Sequence, residues 1–406
     1  MGFKILVADK FPDAKIKELT QAGCSVVYDP ALKEASLVKA VEGELPDIII
    51  VRSTKVEKAV IEANPRLNLI IRAGAGYNTI DIASASAHSI YVSNCPGKNS
   101  IAVAELAFGL ILSLDRKIPD NVKDMRAGIW NKEKYSKADG LFGKTIGIAG
   151  TGMIGSEMII RAKAFGLKVA AWSRSLTPGK AEDMDVEYCR NVIELAEKSD
   201  IVSVHLALTG DTKGLFGKEF FNAMKSGSFF INTSRAEVAD EEALKDALKG
   251  KGIMAGLDVF SGEPSSGTGD VKNSFEGIEN VYCTHHIGAS TKQAQDAISD
   301  EAIRIVKDYL TTGVVRNCVN LLEKTSARFV LSVHHLNRVG VLAGVLDIIR
   351  DNNINVESMQ NVIFSGAEGA CANIQIDNEL DKNVIKKILD SNSAIISASQ
   401  YDIGSN

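Results

Sequence analysis

The stretch Lys144-Thr-Ile-Gly-Ile-Ala-Gly-Thr-Gly-Met-Ile-Gly155 decides the fold. Residues 145–149 form a short apolar run typical of a buried strand, and residues 153–165 continue with helical spacing. Between strand and helix, Gly150, Gly152 and Gly155 form the pattern G-x-G-x-x-G. Such glycines allow a tight turn, close approach of the backbone to a pyrophosphate, and close packing of helix on strand. The alternative is a purely structural turn, but the strand–turn–helix context favours a dinucleotide site, with the N–H groups around Met153 and Ile154 facing the phosphates.

The bulk composition restricts the classes of protein. At 406 residues and 45% hydrophobic content, the chain is long enough for two or three domains with well-buried cores. The net charge of −5 has both signs interspersed, which gives no sign of a nucleic-acid or membrane-surface partner. Six scattered cysteines without a C-x-x-C pair indicate reduced thiols in a cytoplasmic protein, not a disulfide or metal framework.

No membrane or export signal is recognised at the sequence level. The N-terminus has strand character and lacks a signal-peptide layout. The longest apolar stretch, residues 101–114, is interrupted by Glu105 and is too short to span a bilayer. It is expected to be a buried helix.

Strand and helix signals alternate over residues 1–95, which predicts a parallel sheet covered by helices. Arg52 and Ser53, Arg72, and Asn94 follow or end three of the apolar strands. Because the carboxyl ends of parallel strands meet at one edge, these residues are expected to collect there. The arginines are either surface salt-bridge partners or an anion site.

A second α/β unit is predicted over residues 97–288, with strands near residues 145, 167, 200, 228, 253 and 280. Each of these strands is followed by polar or glycine-rich residues, where ligands and chemistry are expected. The candidate residues at the strand ends are Ser173, Arg174, His205, Thr233, Ser234, Arg235, Asp258, Glu263, His285, His286 and Gly288. A helix over 290–310 is expected to return to the first domain.

For the remaining chain, the sequence predicts a linker over 312–320 followed by the element order βαββαβ, which is ferredoxin-like. The predicted fold is therefore two Rossmann-like or flavodoxin-like parallel-sheet domains followed by a small α+β domain. The predicted boundaries are 1–96 with 289–318 for a substrate domain, 97–288 for a dinucleotide domain, and 326–406 for a regulatory domain.

Three strand-end residues form an interpretable set. His286 is suited to exchange a proton near neutral pH, Glu263 could fix its tautomer and raise its pKa, and Arg235 matches a substrate carboxylate. Beside a nicotinamide, this set predicts hydride transfer to or from a 2-hydroxy or 2-oxo acid. Each residue also has a structural interpretation: a core or capping histidine, a turn glutamate before Pro264, and an arginine bridging to Glu237.

Six stretches resemble, in the correct order, the D-isomer-specific 2-hydroxyacid dehydrogenases: Arg72-Ala-Gly-Ala-Gly-Tyr-Asn78, Asn94-Cys-Pro-Gly-Lys-Asn-Ser-Ile-Ala-Val-Ala-Glu105, Gly150 to Gly155, Asn232-Thr-Ser-Arg235, Leu257-Asp-Val-Phe-Ser-Gly-Glu-Pro264 and His286-Ile-Gly-Ala-Ser-Thr291. The resemblance implies that Arg235 binds the substrate carboxylate, that Glu263 supports His286, and that His286 is the acid/base. It also implies that Arg52 and Arg72 help to hold the substrate. Thr233, Ser234 and Asp258 would approach the ribose and nicotinamide.

The tail resembles an ACT domain, an amino-acid-sensing module, through His335-Leu-Asn-Arg-Val-Gly-Val-Leu342 and Asn353-Ile-Asn-Val356. A dehydrogenase of this family joined to one ACT domain resembles the members that serve serine synthesis. This implies that His335, Asn337 and Asn355 hold L-serine, as an inhibitor, at a subunit interface. It also implies a homo-oligomer, a tetramer by family resemblance, with Trp130 as a subunit contact or, alternatively, a locally packed side chain.

The sequence departs from the family pattern at several positions. Where the family usually has an acidic residue for the adenosine ribose, this chain has Ser173 followed by Arg174, so the cofactor is NAD(H) by family resemblance with NADP(H) left open. The other departures are His285 for proline, which could share the proton role, Ala236 for glycine, Ala75 for threonine, and Val339 for proline. Two alternatives also remain: a glyoxylate, hydroxypyruvate or D-lactate type reductase, and a non-enzymatic NAD(H)-sensing corepressor.

Overall fold

The computed structural model describes residues 2–264, 269, 274–322 and 324–404. It divides into two compact units, one up to Asn320 and one from Leu321 onward. Within these described ranges, no helix has the length and apolar character needed to cross a membrane. All six cysteines are free thiols.

The first part of the larger unit is a five-stranded parallel sheet with the strand order β2-β1-β3-β4-β5. Its strands are short and mostly buried, as in Ile48-Ile-Ile-Val51, because helices cover both faces of such a sheet. The strands are β1 (Lys4–Val7), β2 (Ser25–Tyr28), β3 (Ile48–Val51), β4 (Leu69–Arg72) and β5 (Tyr91–Asn94). The helices are α1 (Asp13–Gln21), α2 (Glu34–Glu44), α3 (Lys58–Glu62) and α4 (Ile82–Ala87).

The second part is a seven-stranded parallel sheet with its own flanking helices. Its strands are β6 (Thr145–Ala149), β7 (Lys168–Trp172), β8 (Glu187–Tyr188), β9 (Ile201–Val204), β10 (Phe229–Asn232), β11 (Met254–Leu257) and β12 (Val281–Cys283). The helices are α5 (Ser100–Arg116), α6 (Ile118–Arg126), α7 (Lys132–Tyr135), α8 (Met153–Ala164), α9 (Pro178–Asp183), α10 (Val192–Lys198), α11 (Lys218–Ala223) and α12 (Glu241–Gly250), with a 3-10 turn at Ala236–Val238. The strand order is β12-β11-β10-β9-β6-β7-β8, a Rossmann arrangement.

Helix α13 (Lys292–Thr312) follows the second sheet and packs on the first. Its apolar face, including Ile298, Ala302 and Ile305, shares a buried cluster with Ile5 and Ile48. We retain, as a proposal, the division of this unit into a domain of residues 1–96 and 289–318 and a domain of residues 97–288.

The second unit is a four-stranded antiparallel sheet carrying two helices, in the chain order βαββαβ. Its elements are β13 (Phe329–Leu336), α14 (Val341–Asp351), β14 (Val356–Ile363), β15 (Gly369–Ile376), α15 (Lys382–Ser391) and β16 (Ile395–Asp402). The strand order β14-β15-β13-β16 is ferredoxin-like, and a separate apolar cluster forms its core. The predicted fold class is therefore confirmed.

Strand order reverses at one point in each parallel sheet. In the first sheet the reversal lies between β1 and β3, and in the second it lies between β6 and β9. Such reversals open a crevice beyond the carboxyl ends of the strands. Asp9 and Arg52 flank the first crevice, and Gly150 and His205 flank the second.

Candidate active site

The glycine turn after β6 is shaped by close backbone contacts. Gly150 has a φ of 100°, and a Cβ there would lie 2.5 Å from the carbonyl oxygen of His205. A Cβ at Gly155 would lie 1.9 Å from the carbonyl oxygen of Gly150. Both positions therefore require glycine for the turn to form and for α8 to pack on it.

Gly152 differs, since a Cβ there would meet no protein atom within 4 Å. It caps the N-terminus of α8, where free N–H groups favour an anion. Nearby strand ends carry buried polar atoms without a hydrogen-bond partner among the described residues: Nδ1 of His205 and Oγ1 of Thr233. Burial lowers the pKa of His205 to about 3, which keeps its ring neutral. Open space at Gly152 and these unpartnered atoms fit a polar dinucleotide, whose pyrophosphate the start of α8 would hold.

The end of β7 carries the residues that would face the adenosine ribose. The hydroxyls of Ser173 and Thr151 lie 2.9 Å apart. The guanidinium of Arg174 donates to the carboxylate of Asp211, 2.9 Å away on the loop after β9. Sequence reasoning did not identify Asp211, because its distance from Arg174 along the chain gave no signal.

The candidate acid/base pair is assembled. Nδ1 of His286 lies 2.7 Å from Oε2 of Glu263, and the backbone N–H of Phe260 donates to Oε1 of the same carboxylate. The hydrogen bond to Glu263 raises the pKa of His286 despite its partial burial. Burial raises the pKa of Glu263, but the hydrogen bond to His286 and the attraction to the positive charge of the imidazole outweigh burial. The pKa of Glu263 is therefore lowered overall. Since Nδ1 is engaged, Nε2 is the nitrogen left to exchange a proton.

Asp258 holds the loop that carries His286. Its carboxylate accepts from the hydroxyl of Thr284 at 2.6 Å and from the backbone N–H groups of Ile287 at 2.9 Å and Gly288 at 2.8 Å. These bonds surround His286, whose φ of 51° lies in the left-handed region that non-glycine residues seldom adopt. Both oxygens of Asp258 thus position the histidine, a role that sequence reasoning missed when it assigned Asp258 to the cofactor.

Three arginines from the two parallel sheets, Arg52, Arg72 and Arg235, lie close together. We call the space that they line the cleft. A Cβ at Gly74 would overlap Nη1 of Arg72, and a Cβ at Gly76 would lie 2.2 Å from Nη2 of Arg235. Burial and the nearby charges of Arg235 and Arg52 lower the pKa of Arg72 to about 10. Across the described chain none of these three guanidiniums forms a salt bridge, including with Glu237. The salt-bridge interpretation is therefore wrong, and the convergence of unpaired positive charge suits an anion.

Two polar residues brace the arginine loops. The carboxylate of Asp9 accepts from the backbone N–H groups of Arg52, Ser53 and Thr54 at 2.7, 3.0 and 2.9 Å. Burial raises the pKa of Asp9, but these hydrogen bonds outweigh the effect of burial, so the pKa is lowered overall. The side-chain amide of Asn94 donates to the carbonyl of Ala75, so it supports the glycine loop beneath Arg235. Sequence reasoning missed Asp9, whose partners lie more than 40 residues away.

His285 and Trp130 are both exposed. Among the described residues His285 forms no hydrogen bond, whereas His286 is bonded to the carboxylate of Glu263 that fixes its tautomer. The side chain of Trp130 is 77% exposed, so it is not a locally packed residue.

The candidate effector residues of the second unit have different environments. His335 is only 2% exposed, and its two ring nitrogens contact the carbonyl of Leu336 at 2.8 Å and the side-chain amide oxygen of Asn361 at 3.2 Å. Asn337 and Asn355 are exposed, and their amides donate to the Ala367 carbonyl and the Glu357 carboxylate. The asparagines are accessible to a ligand, whereas His335 is enclosed by its own unit.

The dinucleotide turn, the histidine–carboxylate pair and the arginine cleft define a class, the dinucleotide-binding oxidoreductases. A family model described as the NAD-binding domain of D-isomer-specific 2-hydroxyacid dehydrogenases matches residues 108–288. A D-3-phosphoglycerate dehydrogenase of Methanocaldococcus jannaschii is 34% identical over 89% of this chain and 67% of its own length. A hydroxypyruvate reductase of Thermotoga maritima is 41% identical over 63% of this chain and 82% of its own.

Solved structures agree with this comparison. The NAD+-bound 3-phosphoglycerate dehydrogenase of Entamoeba histolytica has a TM-score of 0.66 and 28% identity, covering 79% of this chain and 100% of its own. An NADPH-dependent glyoxylate/hydroxypyruvate reductase of Sinorhizobium meliloti, in complex with NADP and malonate, has a TM-score of 0.66 and 27% identity, covering 79% of this chain and 97% of its own. The chain belongs to the D-isomer-specific 2-hydroxyacid dehydrogenase family. It spans 61–67% of the length of several phosphoglycerate dehydrogenase relatives that it matches.

Proposed function

We propose that the protein is a D-3-phosphoglycerate dehydrogenase, which interconverts 3-phosphoglycerate and 3-phosphohydroxypyruvate at the first step of L-serine synthesis. The observation that carries this proposal is the convergence of Arg52, Arg72 and Arg235 in the cleft, with the pKa of Arg72 lowered to about 10. A substrate with a single carboxylate needs only one bidentate arginine. A phosphorylated hydroxy acid also carries a phosphate, which the two remaining arginines could bind. The phosphoglycerate dehydrogenases among the relatives support the same substrate class.

The chemistry follows from the roles of the cleft residues. Held at the start of α8, a nicotinamide dinucleotide would supply or accept the hydride at the substrate carbon bearing the oxygen. Arg235 binds the substrate carboxylate and thereby fixes that carbon. In the reducing direction His286 gives the proton at Nε2 to the carbonyl oxygen, and in the oxidising direction it takes the proton back. Glu263 stabilises the charged imidazole, while Asp258 and Asn94 keep the loops of His286 and Arg235 in place.

A kinetic panel tests this proposal. Purified protein is assayed with 3-phosphohydroxypyruvate and with hydroxypyruvate, each with NADH and with NADPH. We expect the phosphorylated substrate to have the higher kcat/KM, and Arg72→Met to lose most of that preference while retaining activity on hydroxypyruvate. Lack of activity on the phosphorylated substrate with either cofactor would contradict the proposal.

A hydroxypyruvate reductase is the second candidate. The 41% identity to the T. maritima protein of that name favours it, and the histidine pair and Arg235 serve both reactions equally. The same panel distinguishes them, because a reductase of this kind would show no preference for the phosphorylated acid.

We further propose that the second unit is an ACT domain that binds L-serine through Asn337 and Asn355. Its ferredoxin-like fold and the exposure of both asparagines support this assignment. Because His335 is enclosed, we assign it to supporting the site. Serine is expected to inhibit the enzyme, and Asn337→Ala or Asn355→Ala to relieve the inhibition without changing the uninhibited rate. A parent enzyme indifferent to serine would contradict this assignment.

We also propose a homo-oligomer, with the exposed Trp130 in a subunit contact. Light scattering coupled to size-exclusion chromatography is expected to give a tetramer for the parent chain and a smaller species for Trp130→Ala. A monomeric parent would contradict the proposal.

A further inference from the structure

We propose that Asp211 determines cofactor choice by holding Arg174, so that the protein prefers NAD(H) although β7 ends in Ser173 and Arg174. The inference rests on the proposed use of a nicotinamide dinucleotide and deepens it. The two cofactors differ by one phosphate on the adenosine ribose, and residues at the end of β7 face that ribose in Rossmann sheets.

Ser173, Arg174 and Asp211, polar residues near the end of β7, differ in how they affect binding of a 2′-phosphate. The Ser173 hydroxyl is neutral and lies 2.9 Å from the hydroxyl of Thr151, so it can share a hydrogen bond with a ribose hydroxyl without repelling a phosphate. A free Arg174 would attract the 2′-phosphate. The observed ion pair, at 2.9 Å, changes this balance, because the phosphate must displace the Asp211 carboxylate to reach the guanidinium.

Asp211 lies on a well-braced loop. Thr212, the next residue, is only 3% exposed, and its hydroxyl donates to the carbonyl of Ala207 at 2.6 Å. The same hydroxyl accepts from the backbone N–H of Thr209 at 2.8 Å. This turn holds the backbone of Asp211 near the end of β7, within reach of the Arg174 side chain.

The carboxylate that neutralises Arg174 comes from an unexpected part of the chain. Many NAD-binding Rossmann sheets carry the acidic residue at the end of the second strand itself. Here the carboxylate comes from the loop after β9, 37 residues beyond Arg174. Both side chains are largely exposed, at 62% and 77%, so the pair contributes little to the stability of the fold.

Calorimetry on the 406-residue chain tests the proposal without any substrate. Dissociation constants are measured for NAD+ and NADP+, and for the fragments 5′-AMP and 2′,5′-ADP, which differ at the same position. We expect the parent to favour NAD+, and Asp211→Asn to shift the ratio toward NADP+ by up to about fivefold, which corresponds to the upper end of the range for exposed charge pairs. A parent that favours NADP+, or an unchanged ratio in Asp211→Asn, would overturn the proposal.

A double-mutant cycle isolates the mechanism. If Asp211 acts through Arg174, then Asp211→Asn has no effect on the ratio in the Arg174→Ala background; an equal shift there would overturn the proposed mechanism. Asp185→Asn is the matched control, since it removes a similarly exposed ion pair, to Lys163 at the far end of α8, and should leave the ratio unchanged. A protein that binds neither dinucleotide contradicts the dehydrogenase assignment as well, whereas an unchanged ratio contradicts this inference alone.

Discussion

His286 is the residue on which the proposed chemistry depends. His286→Ala should lower kcat by about 10²–10⁴, the usual contribution of a positioned acid/base, because the substitution removes the Nε2 atom that exchanges the proton with the substrate. Calorimetric binding of the cofactor should be unchanged. His285→Ala is the matched control and should keep near-parent activity; an inactive His285→Ala beside an active His286→Ala would transfer the role.

The Glu263–His286 contact determines the pH dependence. Its hydrogen bond raises the pKa of His286. The protonated imidazole that reduction needs therefore persists at pH values above the ordinary pKa of histidine, and it is lost as the pH rises through the raised pKa. Glu263→Gln removes the charge, and the alkaline limb of kcat/KM for reduction should move to lower pH. The measurement is a pH–rate profile of parent and variant; coincident limbs would show that the carboxylate does not tune the histidine.

At the scale of elements, two glycines of the turn after β6 have different roles: Gly155 is needed for the fold and Gly152 for dinucleotide binding. Gly155→Ala places a Cβ 1.9 Å from a backbone oxygen, so the free energy of unfolding should fall by about 1–3 kcal/mol, as overpacking usually costs. Gly152→Ala meets no protein atom and should leave thermal stability unchanged while weakening dinucleotide binding. Equal loss of stability in both variants would mean that Gly152 has only a structural role.

Elements with a strong periodic pattern could be predicted from the sequence. The apolar runs of β3 and β6, the ferredoxin-like order and the strand-end positions of Arg235 and His286 follow from local spacing. The two-residue strand β8 was missed because Glu187 and Tyr188 form no apolar run. Boundaries also shifted by one or two residues, as with the helix predicted at 290–310, which spans Lys292–Thr312.

Supporting contacts between distant residues could not be predicted. Asp9 is bonded to residues 43–45 positions away, and Asp258 to residues up to 30 positions away. Such hydrogen bonds depend on which strands become neighbours, which no local pattern specifies. The hydrogen bond between His335 and Asn361, 26 positions away, is of the same kind.

At the scale of the whole molecule, the chain consists of two units with separate apolar cores. A chain ending at Asn320 should therefore fold and retain reductase activity while losing any response to serine. Circular dichroism and the reductase assay on the shortened chain check this. An inactive but folded fragment would show that the second unit supports catalysis directly.

Arg72 and Arg235 carry like charges on the two sides of the cleft. Arg72 belongs to the first sheet and Arg235 to the second, and an anion bound between the two guanidiniums would offset their mutual repulsion. A divalent anion such as sulfate should raise the melting temperature more than chloride at equal ionic strength, and should reduce the radius of gyration in solution scattering. Arg72→Met should abolish both effects. We therefore expect the charge of a bound anionic substrate to favour closure of the cleft.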